Sequence, residues 1–305
     1  MTKLVWRRQK AKASAVIGLG SNSTRMLVCQ SNNPNRIIDR GYALTRLFEG
    51  LDENRILSEK SIQKTLKAII DMYSGANSKF DIHQFWIFAT SALRDAKNKE
   101  EIVTPVYQRT GIEIDIITGE EEAYYSFLGA GVHQKENQPY GVIDIGGGST
   151  EIAAGTKKTK PKAISMQLGV MRLLKAYPQV DLGNVDDLLK EIYRIVLMHK
   201  DLLFTNKVDT FVGVGGTFST LEMLYDQRKI RGRSYFSKQQ VYQKMVDLFS
   251  LSKEEREGYP FMPKGRGDIT PYGFAILYTL MEVLSFSSVE VVRKGNLDGW
   301  LVAHV

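Results

Sequence analysis

Asp144 stands in the apolar run Val142-Ile143-Asp144-Ile145, directly ahead of Gly146-Gly147-Gly148-Ser149-Thr150-Glu151. A carboxylate in such a strand end loses water on folding, which is costly unless a cation or backbone amides compensate it. Mg²⁺, a hard cation that takes oxygen ligands and phosphate, is the natural compensation. Asp144 is therefore the first metal candidate, with Glu151 assisting through a water. The turn itself offers N–H groups and hydroxyls in a small space, the arrangement that cradles phosphate oxygens, so Gly146, Gly147, Gly148 and Ser149 are candidate phosphate ligands. The same pattern lies 126 residues earlier: Val16-Ile17-Gly18-Leu19-Gly20-Ser21-Asn22-Ser23-Thr24 matches the second stretch at Val, Ile, Gly, Ser and Thr. Ser21, Asn22 and Ser23 join the candidates, because two such turns can bracket a phosphate chain.

Three further stretches carry weaker signals. Gly213-Val214-Gly215-Gly216-Thr217 reads as a strand entering a glycine turn and a helix N-terminus, where orphan amides attract anions; Gly215, Gly216 and Thr217 are its candidates. Ala89-Thr90-Ser91-Ala92-Leu93-Arg94 follows a buried strand and places the Ser91 hydroxyl and Arg94 guanidinium at its carboxyl end, where open α/β sheets bind ligands. Ser91 reads equally well as a helix cap. The acidic run Glu120-Glu121-Glu122 opens a helix, where carboxylates are welcome for electrostatic reasons alone. One of them can also project into a cleft and orient a water for attack.

Regular elements must hold these residues in place. Each glycine turn sits between two apolar runs, so each copy is a β-hairpin. Between the copies the periodicity predicts a helix over 58–73 with Ile62, Leu66, Ile69, Ile70 and Tyr73 on one face. It then predicts a strand over 85–89, a helix to about Arg109, a strand over 112–117 and a helix from Glu120. After the second copy come a strand near Ile164, a helix over 185–204, a strand over 210–214 and a helix from Thr217. Alternating strands and helices imply largely parallel sheets covered by helices. Two α/β domains are expected, 1–131 and 132–305, with the site in the cleft between them and the boundary in the Gly-, Asn-, Gln- and Pro-containing stretch 131–138.

Composition sets the outer limits. The 305 residues, 43% of them hydrophobic, suffice for two domains with a real core. No window approaches the roughly 20 apolar residues that span a bilayer, and the N-terminus lacks the apolar core of a signal peptide, so the expected location is cytoplasmic, without a membrane partner. The single cysteine, Cys29, excludes disulfides and a Cys/His zinc site and reads as a buried strand residue. The net charge of +7 favours a polyanionic partner. Part of the excess lies in a basic start, Lys3, Arg7, Arg8, Lys10 and Lys12, which reads as a solvated extension. Lys157, Lys158, Lys160 and Lys162 likewise read as a solvated turn.

Taken in order, Gly20-Ser21-Asn22-Ser23-Thr24-Arg25, Arg46-Leu47-Phe48-Glu49-Gly50-Leu51, Thr90-Ser91-Ala92-Leu93-Arg94-Asp95-Ala96, Gly119-Glu120-Glu121-Glu122-Ala123, Asp144 to Glu151, Gly215-Gly216-Thr217 and Arg266-Gly267-Asp268 resemble the exopolyphosphatase/guanosine pentaphosphate phosphatase family. The resemblance implies two duplicated ribonuclease-H-like domains of the actin, Hsp70 and sugar-kinase superfamily, in the short two-domain form. It implies water attack on a terminal phosphoryl group with Mg²⁺, no covalent intermediate, Glu122 as base with Glu121 as second choice, and Asp144 as metal ligand. Arg25, Arg94 and Arg266 would neutralise phosphoryl charge. The expected partner is inorganic polyphosphate or guanosine pentaphosphate or tetraphosphate, with no specific nucleic acid; a homodimer is one open assembly, which no motif specifies. Exopolyphosphatase activity leads, guanosine pentaphosphate 5′-phosphohydrolase follows, and a superfamily kinase with Gly215-Gly216-Thr217 serving adenosine fits the other motifs poorly. Two positions depart. Gly18 stands where the family has an aspartate mirroring Asp144, which admits a non-catalytic sensor of polyphosphate or guanosine tetraphosphate, and Asp298 stands where many relatives carry a different polar group.

Overall fold

The computed structural model describes residues 10–131, 134–199, 208, 210–225 and 233–305. The basic residues Lys3, Arg7 and Arg8, and the far end of the helix expected over 185–204, lie outside the described residues. Both glycine turns close antiparallel hairpins. β1 (Lys12–Leu19) pairs with β2 (Thr24–Gln30), and β6 (Tyr140–Ile145) with β7 (Thr150–Gly155). The duplication extends to register: Leu19 opposes Thr24 in the first hairpin and Ile145 opposes Thr150 in the second. Each hairpin continues into a third antiparallel strand, β3 (Asn33–Ala43) or β8 (Lys162–Met166). On the other side each first strand pairs in parallel, β1 with β4 (Asp81–Ala89) and β6 with β9 (Phe211–Val214).

Beyond these lie β5 (Ile114–Ile116) in the first sheet, and β11 (Ser288–Val291) followed by β10 (Ser234–Ser237) in the second. The sheet orders are β3-β2-β1-β4-β5 and β10-β11-β9-β6-β7-β8, one plan used twice with an extra edge strand in the second copy. Central strands β1 and β6 are almost wholly buried, as their Val/Ile-rich runs demand when both faces are covered. β3 alternates polar and half-buried residues at the edge, a weak pattern that the sequence reading passed over.

The helices mostly sharpen the expected elements. α1 (Glu59–Lys79) is capped by Ser58, whose side chain accepts the Ser61 N–H, and runs six residues further than expected while burying Ile62, Leu66, Ile69, Met72 and Ala76. The helix expected to end near Arg109 is two pieces, α2 (Ser91–Asp95) and α3 (Glu100–Thr110), because the α2 C-cap Ala96 is extended. The region after residue 233, left unassigned by the periodicity, holds α8 (Lys238–Phe249), α9 (Lys253–Glu257) and α10 (Thr270–Val283). The remaining α5 (Val170–Ala176), α6 (Val185–Leu197) and α7 (Gly215–Leu224) belong to the second sheet's half.

Two helices cross between the halves. α4 (Gly119–Gly131) follows the first sheet yet packs on the second, where Phe127 stacks on Tyr140 at 4.3 Å and Ala123 and Ala130 join Val142, Val212 and Val214. α11 (Asn296–His304) follows the second sheet yet packs on the first, with Trp300 stacked on Phe88 at 4.8 Å beside Val16, Leu27 and Cys29. The exchange fastens the halves and sets α4 and α11 across the space between the hairpin turns.

Candidate active site

A cavity of about 520 Å³ lies between the halves and is lined by both hairpin turns. Ser21, Asn22 and Ser23 come from the first, and Gly146, Gly147 and Ser149 from the second. The turns meet at van der Waals range, since a Cβ on Gly147 would stand 2.6 Å from Ser21 Cβ. Ser21 Oγ and Ser91 Oγ lie 2.9 Å apart, which ties the first turn to the start of α2. Asn22 is 8% exposed, and neither its amide oxygen nor its amide nitrogen has a partner. Both ends of this buried amide are therefore open to hydrogen bonds from outside the protein.

Three carboxylates are buried beside the turns. Glu122 sits on the inner face of α4, with one oxygen unpartnered and Arg94 Nη1 3.7 Å away. Burial, reinforced by the Asp144 charge and opposed by Arg94 and Arg25, pushes its carboxyl up to about 8. Asp144 accepts the Ser126 hydroxyl at 2.9 Å; burial raises its carboxyl against the pull of Arg25. Glu151 accepts the Ser165 hydroxyl at 2.7 Å and is raised by burial and by the charges of Glu122 and Asp144. Positive charge brought near three such groups would favour their ionised forms.

Among the described residues no group of three or more His, Cys, Asp or Glu side chains is arranged to hold a metal ion. The donor set suits a cation that keeps waters and takes phosphate oxygens beside one or two carboxylates, the usual habit of Mg²⁺. Gly215 leaves the space over Asp144 open: its φ of +84° favours glycine, and a Cβ there would lie 2.6 Å from Asp144 Oδ1.

Opposite the carboxylates the wall is basic. Arg25 and Arg266 both line the cavity, and neither forms an ion pair with a carboxylate among the described residues. Arg25 Nη2 donates to Asn296 Oδ1 at 3.4 Å, leaving its buried Nε unpartnered. Burial pulls the Arg266 guanidinium down from its ordinary value, with Tyr42 opposing and Arg25 adding a like-charge push. Two cations held close, neither in a direct ion pair among the described residues, make this wall favourable to an anion.

The sequence-derived candidates divide on this geometry. Gly215, Gly216 and Thr217 line the cavity, but the Thr217 hydroxyl donates to the Ile145 carbonyl at 3.0 Å and the Arg266 guanidinium lies over Gly216, so Arg266 covers this turn. Gly148 and Glu151 sit behind the lining, Gly148 with its carbonyl accepting from Arg172. Glu121 is exposed at the surface: it caps α4, its Oε2 accepting the Thr118 N–H at 2.8 Å. Thr118-x-x-Glu121 is a capping box, a readable signal that points to Glu122 as the inward residue. Ser126, Arg40 and Asn296 were missed; Ser126 follows Glu122 by one helical turn and so shares its face.

Where an aspartate at position 18 would stand there is apolar packing. A Cβ on Gly18 would lie 3.0 Å from both Leu297 Cδ1 and Phe88 Cζ. Asp298, the second departure, accepts the Gly295 N–H at 3.1 Å and caps α11.

Fold and cavity together define a two-lobed α/β protein of the actin-like, duplicated ribonuclease-H-like type with paired hairpin turns lining the cavity. Residues 27–305 match the Ppx/GppA phosphatase family, and the chain belongs to that family. It is 28% identical to the bifunctional 3-dehydroquinate synthase/phosphatase of Fusobacterium nucleatum; all of the chain aligns, spanning 48% of that relative's length. Its structure resembles the Aquifex aeolicus PPX-GPPA enzyme with a TM-score of 0.79 at 25% identity, over 96% of this chain and 99% of that one. An exopolyphosphatase from Cytophaga hutchinsonii shares the fold with a TM-score of 0.85 at 20% identity, over 95% and 97% of the two chains.

Proposed function

We propose that this phosphatase releases the terminal phosphoryl group of inorganic polyphosphate by direct attack of water. The observation that carries this reading is the cavity's polarity. Unpaired Arg25 and Arg266 face an unpartnered Asn22 and two glycine turns, with a buried glutamate set into the same wall. Polyphosphate supplies a run of negative oxygens for the cations and a good leaving group at each end.

Glu122 is the group to hold the attacking water and take its proton. Arg94, 3.7 Å from that carboxylate, keeps it oriented and shares its charge. The Ser21 and Ser149 turns fix the terminal phosphoryl group, and Arg25 and Arg266 neutralise the phosphates behind it. Asp144, with Glu151 behind it, would hold Mg²⁺, which when bound supplies positive charge at the phosphoryl oxygens. Guanosine pentaphosphate presents the same anhydride and is the competing substrate, while the apolar packing around Gly18 favours a sensor if turnover fails.

The test is phosphate release by the purified protein with Mg²⁺ from long-chain polyphosphate, guanosine pentaphosphate and ATP side by side, with Glu122→Gln as control. Release from polyphosphate that vanishes in the variant supports the proposal. Release from guanosine pentaphosphate alone moves the substrate, and tight polyphosphate binding without release from any of the three replaces the hydrolase with a sensor.

A further inference from the structure

Two sequence motifs play no part in the chemistry above, Arg46-Leu47-Phe48-Glu49-Gly50-Leu51 in the first half and the aspartate of Arg266-Gly267-Asp268 in the second. The fold joins them. Arg46 Nη2 lies 2.5 Å from Asp268 Oδ2, and Arg46 Nη1 donates to the Gly265 carbonyl at 3.5 Å, across the cleft between halves. Arg46 holds this reach in a left-handed conformation, φ 51°, that few non-glycine residues adopt. Asp268 is 6% exposed, and its Oδ1 and Arg46 Nε have no partner. Arg46 Nη2 also pairs with Glu49 Oε1 of its own segment at 2.8 Å, so Asp268 is the carboxylate that links it to the other half; so buried an ion pair contributes little net stability, and its use lies in the arrangement it enforces.

That arrangement is the cavity itself. The Arg46 N–H donates to the Asn22 carbonyl at 2.8 Å and the Phe48 N–H to the Ser21 carbonyl at 3.0 Å, so the segment carries the first phosphate turn on its back. Asp268 sits two residues from Arg266, in a turn where Ile269 and Thr270 both donate to the Arg266 carbonyl. The second half grips the same segment further along, with the Arg172 guanidinium 5.1 Å from the centre of the Phe48 ring and Lys175 Nζ donating to the Leu51 carbonyl at 2.8 Å.

We infer that Arg46 and Asp268 are a positioning pair, a polar clasp that closes the cleft and sets the Asn22 turn against Arg266 around the substrate's phosphates. Neither side chain touches reacting atoms; each acts through the turn it carries. The inference rests on the hydrolase reading above for its kinetic readout, but its geometric readout is independent of turnover.

Cys29 is buried, so cysteines introduced at the exposed Lys67 and Lys190 take spin labels selectively, one on each half. The distance distribution between them is measured in the full chain with and without long-chain polyphosphate, alongside KM and kcat for phosphate release. Arg46→Asn, which tolerates the left-handed backbone, is expected to broaden and lengthen the distribution and to raise KM by about tenfold or more with a smaller change in kcat. Arg46→Lys, which keeps the charge, is expected to stay close to the parent in both, and its separation from Arg46→Asn in KM at similar kcat is a split that a merely structural defect would not give. An unchanged distribution in Arg46→Asn, or a KM within about twofold of the parent, overturns the clasp. If the parent releases no phosphate, the hydrolase reading fails while the distances still decide the clasp.

Discussion

Glu122 is the residue on which activity turns, and its surroundings set when it can act. A base must be ionised, yet burial and the Asp144 charge push its carboxyl up to about 8. The expected kcat/KM therefore rises with pH as Glu122 deprotonates, with a midpoint below 8 in the presence of Mg²⁺, which offsets the Asp144 charge, and a profile flat across the neutral range would remove Glu122 as base. Glu122→Gln is expected to lower kcat by about a hundredfold or more with little change in KM. The same shift has a stability consequence. The folded-state pKa is raised, so the stability contribution is complete below the ordinary glutamate value and is lost as pH climbs through about 8. Glu122→Gln should consequently raise Tm more at pH 9 than at pH 6. Position 18 follows a different logic, because a Cβ there would press on the Leu297 and Phe88 side chains at 3.0 Å. Gly18→Asp is expected to cost about 1–3 kcal/mol in urea unfolding rather than to improve catalysis, since overpacking outweighs any ligand gained.

Among the elements, the crossing of α4 and α11 does most to hold the site, since α4 brings Glu122 and Ser126 and α11 brings Asn296. The crossing is close only because it is made of glycines. A Cβ on Gly129 would lie 2.2 Å from the Gly295 carbonyl oxygen, and one on Gly299 only 1.7 Å from the Tyr125 carbonyl oxygen. Both obstacles are backbone, so the helices themselves must move apart. Gly299→Ala should destabilise the fold by about 3 kcal/mol in urea unfolding, and should weaken activity even under conditions where the protein stays folded. A loss under 1 kcal/mol would show the crossing to be looser than drawn. Both the duplication and its limits are explained at this scale. Val16 to Thr24 and Val142 to Thr150 were readable as paired hairpins because turn chemistry and buried strands are local, and their registers agree. Which sheet α4 or α11 covers is decided by packing between residues far apart in sequence, and no periodicity reports that. β3 escaped because an edge strand buries little, and Glu121, the second choice to Glu122 in the sequence, is turned outward by the Thr118 capping box.

For the molecule as a whole, the question is where its net charge of +7 acts. Two basic regions compete. One is the cavity wall with Arg25 and Arg266; the other is the turn holding Lys157, Lys158 and Lys160, which borders a separate cavity of about 910 Å³ with Tyr124 and Leu128 on its far side. The turn's lysines are exposed, Lys158 lies 3.7 Å from Glu136, and Glu120 and Glu121 line the same surface. Solvent and salt weaken charges so placed, and the acids beside them cancel part of their field. Arg266 is half-buried, forms no ion pair among the described residues and shares the cavity with Arg25, so its field is less screened than that of the exposed lysines. For a polyphosphate substrate, Arg266→Ala should raise KM by about tenfold to a hundredfold and flatten the dependence of KM on salt. Replacing Lys157, Lys158 and Lys160 together by Glu should leave KM at 150 mM salt within about twofold, with a larger effect only at low ionic strength. If the lysine replacement raised KM as steeply as Arg266→Ala, the polymer would have to run out of the cleft along that turn, and the molecule's charge would act as a track rather than as a pocket.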